Sequence, residues 1–189
     1  MNILVLLGSP RRGGNTEILV DMLLKGCEEK GGVCKKILLY DCKISPCREL
    51  YACTKNGECA IRDDMDKIIP QICNADRVIV ASPMFFYNIS APTKAMIDRC
   101  QSLWVKKHKL HLPISEHQNR KGIFIGVGAT KGENLFVGAR LTIKYFFDAI
   151  DVPYAHELLI RRIDEKGAIK EHPEFLTKAY ELGKEITSV

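Results

Sequence analysis

Apolar and polar positions along this chain switch repeatedly between two periods. Ile3–Leu7, Arg77–Ala81 and Gly122–Val127 are short, nearly continuous apolar runs bounded by turn residues, the pattern of strands buried on both faces. Between them apolar residues return at helical spacing. Leu19, Met22, Leu23 and Cys27 stripe a helix over Thr16–Lys30 that Gly31-Gly32 ends. Asp63 can cap a helix reaching Cys73, with Met65, Ile68, Ile69 and Ile72 facing inward. Ser90-Ala91-Pro92 opens another, with proline in the first turn and Met96, Ile97, Cys100 and Trp104 as its stripe. Phe136, Ala139, Ile143, Phe146, Phe147 and Ile150 mark a third clear helical period. Val33–Leu39 reads as a further strand, Pro153–Ile160 contains the last one, and Pro173–Ile186 reads as the final helix.

Five strands alternating with five helices predict an α/β fold: a doubly wound, five-stranded parallel sheet with helices on both faces. The reading is of one domain over residues 1–189, with a cysteine-containing loop at 41–61 and a connector over 105–120. Ligands of such sheets sit beyond the carboxyl ends of the strands, at the switch point. The loops Gly8–Thr16, Ser82–Ser90 and Gly128–Asn134 are all expected at that edge.

The first of these loops, Gly8-Ser9-Pro10-Arg11-Arg12-Gly13-Gly14-Asn15-Thr16, joins a buried strand to a helix start. Free N–H groups and the dipole of that helix favour an anion there. Ser9, Asn15 and Thr16 add hydrogen-bond donors, and Arg11 or Arg12 adds a charged fork. So many donors around one turn suit a terminal phosphate monoester. The loop does not match a nucleoside triphosphatase, because Gly14 stands where the lysine of the P-loop belongs. It does not match the dinucleotide fingerprint either, because Pro10 occupies the second glycine position.

Composition narrows the class little: apolar residues form 46% of the chain and charged residues 27%, as in ordinary globular proteins. The net charge of +5 is concentrated in Lys106-Lys107-His108-Lys109 and Arg120-Lys121, which reads as a solvated face, not a nucleic-acid surface. No apolar run approaches the ~20 residues that span a bilayer. The chain opens on a strand and carries no signal core, so a cytoplasmic protein with reduced cysteines is expected.

Taken in order, Gly8-Ser9-Pro10-Arg11, Gly14-Asn15-Thr16, Ser82-Pro83-Met84-Phe85, Asn88-Ile89-Ser90 and Lys94 with Ile97-Asp98-Arg99 resemble the NADPH-dependent FMN reductases of flavodoxin-like fold. The iron–sulfur flavoprotein branch is the nearest likeness, through Pro46-Cys47, Cys53 and Gly57-Glu58-Cys59-Ala60-Ile61-Arg62-Asp63-Asp64-Met65. The resemblance implies a noncovalent FMN whose phosphate is held by Ser9, Arg11, Gly14, Asn15 and Thr16. It implies an isoalloxazine ring bordered by Pro83, Met84, Phe85, Phe86 and Asn88, with Gly126, Gly128, Ala129 and Thr130 closing the far side. Peptide N–H groups after Pro83 are expected to serve the ring's pyrimidine edge. NADH or NADPH would reduce the flavin, which would pass electrons to FMN, a quinone or another small acceptor. Such chemistry asks for stacking geometry and local electrostatics, so no catalytic acid or base is named. The alternative is an electron carrier between protein partners. A homodimer or homotetramer is implied, with no nucleic acid and no membrane as partner.

The cysteine segment departs from that branch. Cys47 and Cys53 take the outer positions of its cysteine triplet and Cys59 the last position, but the middle position is Leu50. A four-iron cluster uses four thiolates and leucine offers no lone pair. Three readings stand: a cluster with a substituted or external fourth ligand, a clusterless lid or subunit contact, or zinc, whose paired Cys spacings are missing. Cys27, Cys73 and Cys100 lie on apolar stripes and read as core.

Overall fold

A computed structural model describes residues 1–188; Val189, the end of the expected domain, lies outside the described residues. The chain runs β1 (Asn2–Leu7), α1 (Asn15–Glu29), β2 (Val33–Leu38), α2 (Cys53–Asn56), α3 (Met65–Asn74), β3 (Arg77–Pro83), α4 (Ala91–Arg99), α5 (Gln101–His108), β4 (Lys121–Val127), α6 (Val137–Ala149), β5 (Tyr154–Ile160) and α7 (Pro173–Thr187). Single 3-10 turns occupy Leu39–Asp41 and Ala168–Glu171. All strands pair in parallel, in the order β2-β1-β3-β4-β5. This is the flavodoxin-like doubly wound sheet, and the order reverses between β1 and β3.

The apolar runs of β1, β3 and β4 are buried on both faces because helices cover each side. One core places Leu19, Leu23 and Cys27 of α1 and Ala179 and Ile186 of α7 against Ile3, Val5 and Ile79. The other places α3 to α6, through residues such as Met65, Ile72, Met96, Ile143 and Phe147, against Leu4, Val78 and Phe124. Cys27 and Cys100 are buried, and Cys73 packs against the second core. None of the described helices is long and apolar enough to cross a membrane.

Three elements differ from the sequence reading. The expected helix through Trp104 divides at Cys100, where bonding tightens to the 3-10 pattern: Cys100 N donates to Ile97 O and Leu103 N to Cys100 O. Its second part, α5, runs on to His108, into the expected connector over 105–120. The expected loop over 41–61 contains the short helix α2, which Gly57 ends at φ +78°, a backbone state open to glycine at no steric cost.

Candidate functional site

The loop after β1 turns sharply at Gly13 (φ +62°) and folds back so closely at Gly14 that a Cβ there would lie 2.8 Å from Arg11 O. The N–H groups of Ser9, Arg12, Asn15, Thr16 and Glu17 have no acceptor among the described residues. The Ser9 hydroxyl accepts from Arg11 N (3.3 Å) and keeps its own proton to donate. Thr16 is buried at the start of α1. Glu17 accepts from Gly13 N (2.7 Å) and pairs with Lys36 (3.0 Å). Burial alone would raise its pKa, but the Gly13 N–H and the Lys36 ammonium outweigh that and hold it below the usual range.

Asn15 behaves differently from the expectation. Its Oδ1 accepts from Gly167 N (3.0 Å) and Ile169 N (3.2 Å), and its Nδ2 donates to Glu165 O (2.8 Å). The amide is thus spent on tying the phosphate-type loop to the loop after β5. What Asn15 offers an anion is its backbone N–H at the helix start. Arg11 donates to Asp164 O (3.1 Å) from an exposed position, and Arg12 pairs with Asp41.

The loop after β3 is a tight hairpin. Phe85 N donates to Asn88 O (2.8 Å) and Asn88 N to Phe85 O (3.0 Å). The two residues between, Phe86 and Tyr87, have φ of +48° and +61°, the pattern of a type I′ turn normally filled by Asn and Gly. Phe86 projects completely into solvent, at 103% relative exposure. The expected donors are mostly committed. Met84 N donates to Val127 O (2.8 Å), Phe85 N closes the hairpin, and Ile89 N donates to Asn88 Oδ1 (2.8 Å). Only Phe86 and Tyr87 keep free N–H groups there among the described residues, because the turn uses the rest.

Direct contacts join the three loops. Ser90 Oγ donates to Gly8 O (2.7 Å), and a Cβ on Gly8 would lie 1.8 Å from Thr93 Oγ1. A Cβ on Gly132 would lie 2.4 Å from Tyr87 Oη, so the hairpin rests on the loop after β4. Gly128 is held at Ile160 O (2.9 Å), while Ala129 and Thr130 are exposed with unpartnered N–H groups among the described residues. The result is one edge lined by free N–H groups, two hydroxyls and an aromatic hairpin. That donor set fits a phosphate monoester at one end and a flat ring at the other.

A family model described as NADPH-dependent FMN reductase matches residues 1–156. This chain belongs to that family. Among curated relatives, an iron–sulfur flavoprotein of Methanocaldococcus jannaschii is 33% identical over 131 residues, covering 69% of this chain and 64% of the relative. One of Archaeoglobus fulgidus is 33% identical over 137 residues, covering 71% and 67%. The matched region therefore spans about two thirds of these relatives' length. An NAD(P)H:quinone oxidoreductase from Methanothermobacter marburgensis shares the fold, with a TM-score of 0.73 at 16% identity over 100% of this chain and 98% of that one.

The likeness to iron–sulfur flavoproteins makes the cysteine segment a test of this chain's own donors. Cys47, Cys53 and Cys59 line one cavity, and Leu50 lines it beside them. Among the described residues no three His, Cys, Asp or Glu side chains are grouped as they would be around a single metal ion. Three thiols and a leucine do not make the four-thiolate set of a cubane.

Sequence reasoning missed what closes this segment. Arg99, 1% exposed, donates to Ser45 O (2.9 Å), Ile61 O (2.9 Å) and Asp63 Oδ2 (2.6 Å). Both ends of the segment are thus fastened to the end of α4. Asp63 does serve α3 as expected, accepting from Met65 N (3.0 Å), but its other oxygen belongs to Arg99 and to Ser45 N. The signal was present: Arg99 falls three residues after Met96 on a buried stripe, where a charge requires a partner. Tyr87, the last of the aromatic run, was also passed over.

Proposed function

We propose that this chain is an FMN-dependent NAD(P)H oxidoreductase of the FMN or quinone reductase type, acting in the cytoplasm as a homodimer or homotetramer. The observation carrying this reading is the set of unpartnered N–H groups of Ser9, Arg12, Asn15, Thr16 and Glu17 among the described residues, on a loop clamped by Ser90 and Thr93 against the aromatic hairpin. Ser9, Arg11, Thr16 and the Asn15 N–H hold the phosphate, with Gly14 permitting the fold-back. Pro83, Met84, Phe85, Phe86 and Asn88 border the ring, and Gly128, Ala129 and Thr130 cover its far side. Bound FMN supplies the hydride relay between nicotinamide and acceptor. The protein's part is to position the ring and to leave one face open for stacking. The assembly is supported by the exposed Phe86 and by Val137, Leu141 and Tyr145, an exposed apolar stripe along α6.

The test is anaerobic. The flavin released from heated protein should be FMN, and NADPH or NADH should bleach the bound flavin and oxidise repeatedly when a quinone is added. Replacing Thr16 with Val should weaken FMN binding by about tenfold, the loss of one bond to a charged group. A flavin that dithionite reduces but nicotinamides do not would identify an electron carrier. Protein that takes up no FMN would overturn the reading.

A further inference from the structure

The cysteine segment keeps three of the four thiol positions on which the likeness to iron–sulfur flavoproteins rests, and Leu50 holds the other. We propose that this chain carries no iron–sulfur cluster, that Leu50 is the residue responsible, and that FMN is its sole redox centre. The electron count rests on the flavin reading above; the claim about iron does not.

A four-iron cluster is held by four thiolates, commonly from a Cys-x2-Cys-x2-Cys run with a further cysteine after it. Cys47 and Cys53 fit the ends of such a run, and Leu50 its middle. With Cys59 they line one cavity of about 720 Å³. No other side chain stands ready to replace the missing sulfur. Cys42 and Cys73 pack against the core and do not line the cavity, and the Cys42 thiol donates to Leu38 O (3.4 Å). Cys100 does line it, but it is buried at the junction of α4 and α5, with its sulfur packed among core side chains. Asp98 has given both oxygens to Lys94 (2.6 and 2.8 Å). Glu49 lines the cavity too, yet it forms no group of three with the cysteines.

The segment is also held in shape by its own bonds. Where a metal centre organises a loop, its binding energy is folding energy. Here the chain supplies the ties. Arg99 fastens Ser45 at one end and Ile61 and Asp63 at the other. Asp63 and Asp64 accept from Ser45 N (2.9 Å) and Lys43 N (2.7 Å), closing the base of the loop. In the middle, the Thr54 hydroxyl donates to Tyr51 O (2.7 Å) and Gly57 N to Cys53 O (2.8 Å). A Cβ on Gly57 would lie 3.0 Å from Lys106 Cβ, so the turn after α2 rests on α5.

With no one-electron centre in the chain, electrons enter and leave the flavin edge in pairs. That suits acceptors that take two at once over one-electron protein carriers. The overall reaction balances with a quinone: NAD(P)H and a proton yield NAD(P)⁺ and hydroquinone.

The experiment uses the flavin-loaded chain, purified anaerobically and then incubated with ferrous iron, sulfide and a thiol reductant. Wild type should retain no stoichiometric iron or acid-labile sulfide, and dithionite should deliver about two electrons per chain. Leu50→Cys completes the cysteine run. It should take up about four iron and four sulfide per chain and accept about three electrons. Leu50→Ala, which makes room without a thiol, should behave as wild type. A stoichiometric cluster in wild type or in Leu50→Ala would overturn the proposal. A Leu50→Cys chain that binds FMN normally but gains no cluster would overturn the assignment to Leu50. Should Leu50→Cys fail to fold, the iron and sulfide content of wild type and Leu50→Ala still decides whether the chain is clusterless. Wild type holding neither flavin nor iron would sink the flavin reading and leave the claim about iron standing.

Discussion

Arg99 shows how one side chain organises a segment far from it in sequence. It reaches residues 45, 61 and 63 from the last position of α4, and Asp63 answers its charge at 2.6 Å. Burial by itself raises the Asp63 pKa. The Arg99 guanidinium and the N–H groups of Ser45 and Met65 outweigh burial and hold the carboxyl below the usual range. A depressed carboxylate contributes stability above its unfolded pKa of about 4, and that contribution is lost as pH falls through the folded value. Removing the partner strands a buried charge. Arg99→Met should therefore cost about 3–5 kcal/mol near neutral pH. The gap from wild type should narrow on acidification, because Asp63 without Arg99 takes up a proton more readily. Urea unfolding of both proteins at neutral and mildly acidic pH reads this directly, and a gap independent of pH would refute the assignment.

At the scale of an element, the 85–88 hairpin is the clearest conflict between local preference and placement. Two aromatic residues hold positive φ where a type I′ turn prefers Asn-Gly. Such a conformation costs a residue with a Cβ about 1–2 kcal/mol. Tyr87 gains packing on Gly132, but Phe86 is exposed and recovers nothing within the chain. Backbone strain held at an exposed aromatic is what a ligand wall or a subunit contact would sustain. Phe86→Gly should accordingly stabilise the free protein by about 1 kcal/mol while loosening FMN. Thermal melts without flavin and FMN titrations would show the two effects in opposite directions.

Across the whole molecule, the sheet is sealed on one face by α1 against α7, and two glycines permit it. A Cβ on Gly26 would lie 2.1 Å from Tyr180 O, and one on Gly183 would lie 2.0 Å from Leu23 O. The helices approach backbone to backbone, so neither neighbour can swing aside as a side chain would. Gly183→Ala should cost about 2–3 kcal/mol through overpacking, lowering Tm by about 5–10 °C. A melt within a degree of wild type would show that the helices can separate freely. The same packing brings the loop after β5 next to the phosphate-type loop, where Asn15 fastens them together.

The periods of apolar residues were enough to specify the parallel α/β sheet, its covering helices and the edge where the loops gather, because burial on one face or both dictates spacing within a single element. The run from Gly8 to Thr16 marked a helix start with free N–H groups for the same local reason: such a start exposes them whatever lies elsewhere. Which polar groups remain available was decided only by the fold. The side-chain amide of Asn15 is used as a tether while its backbone N–H stays free, Met84 and Phe85 gave their N–H groups to Val127 and Asn88, and Arg99 became the clasp of a segment dozens of residues away. A hydrogen-bonding group can be spent once. Its partner is chosen by contacts between elements distant in sequence, which no local pattern records.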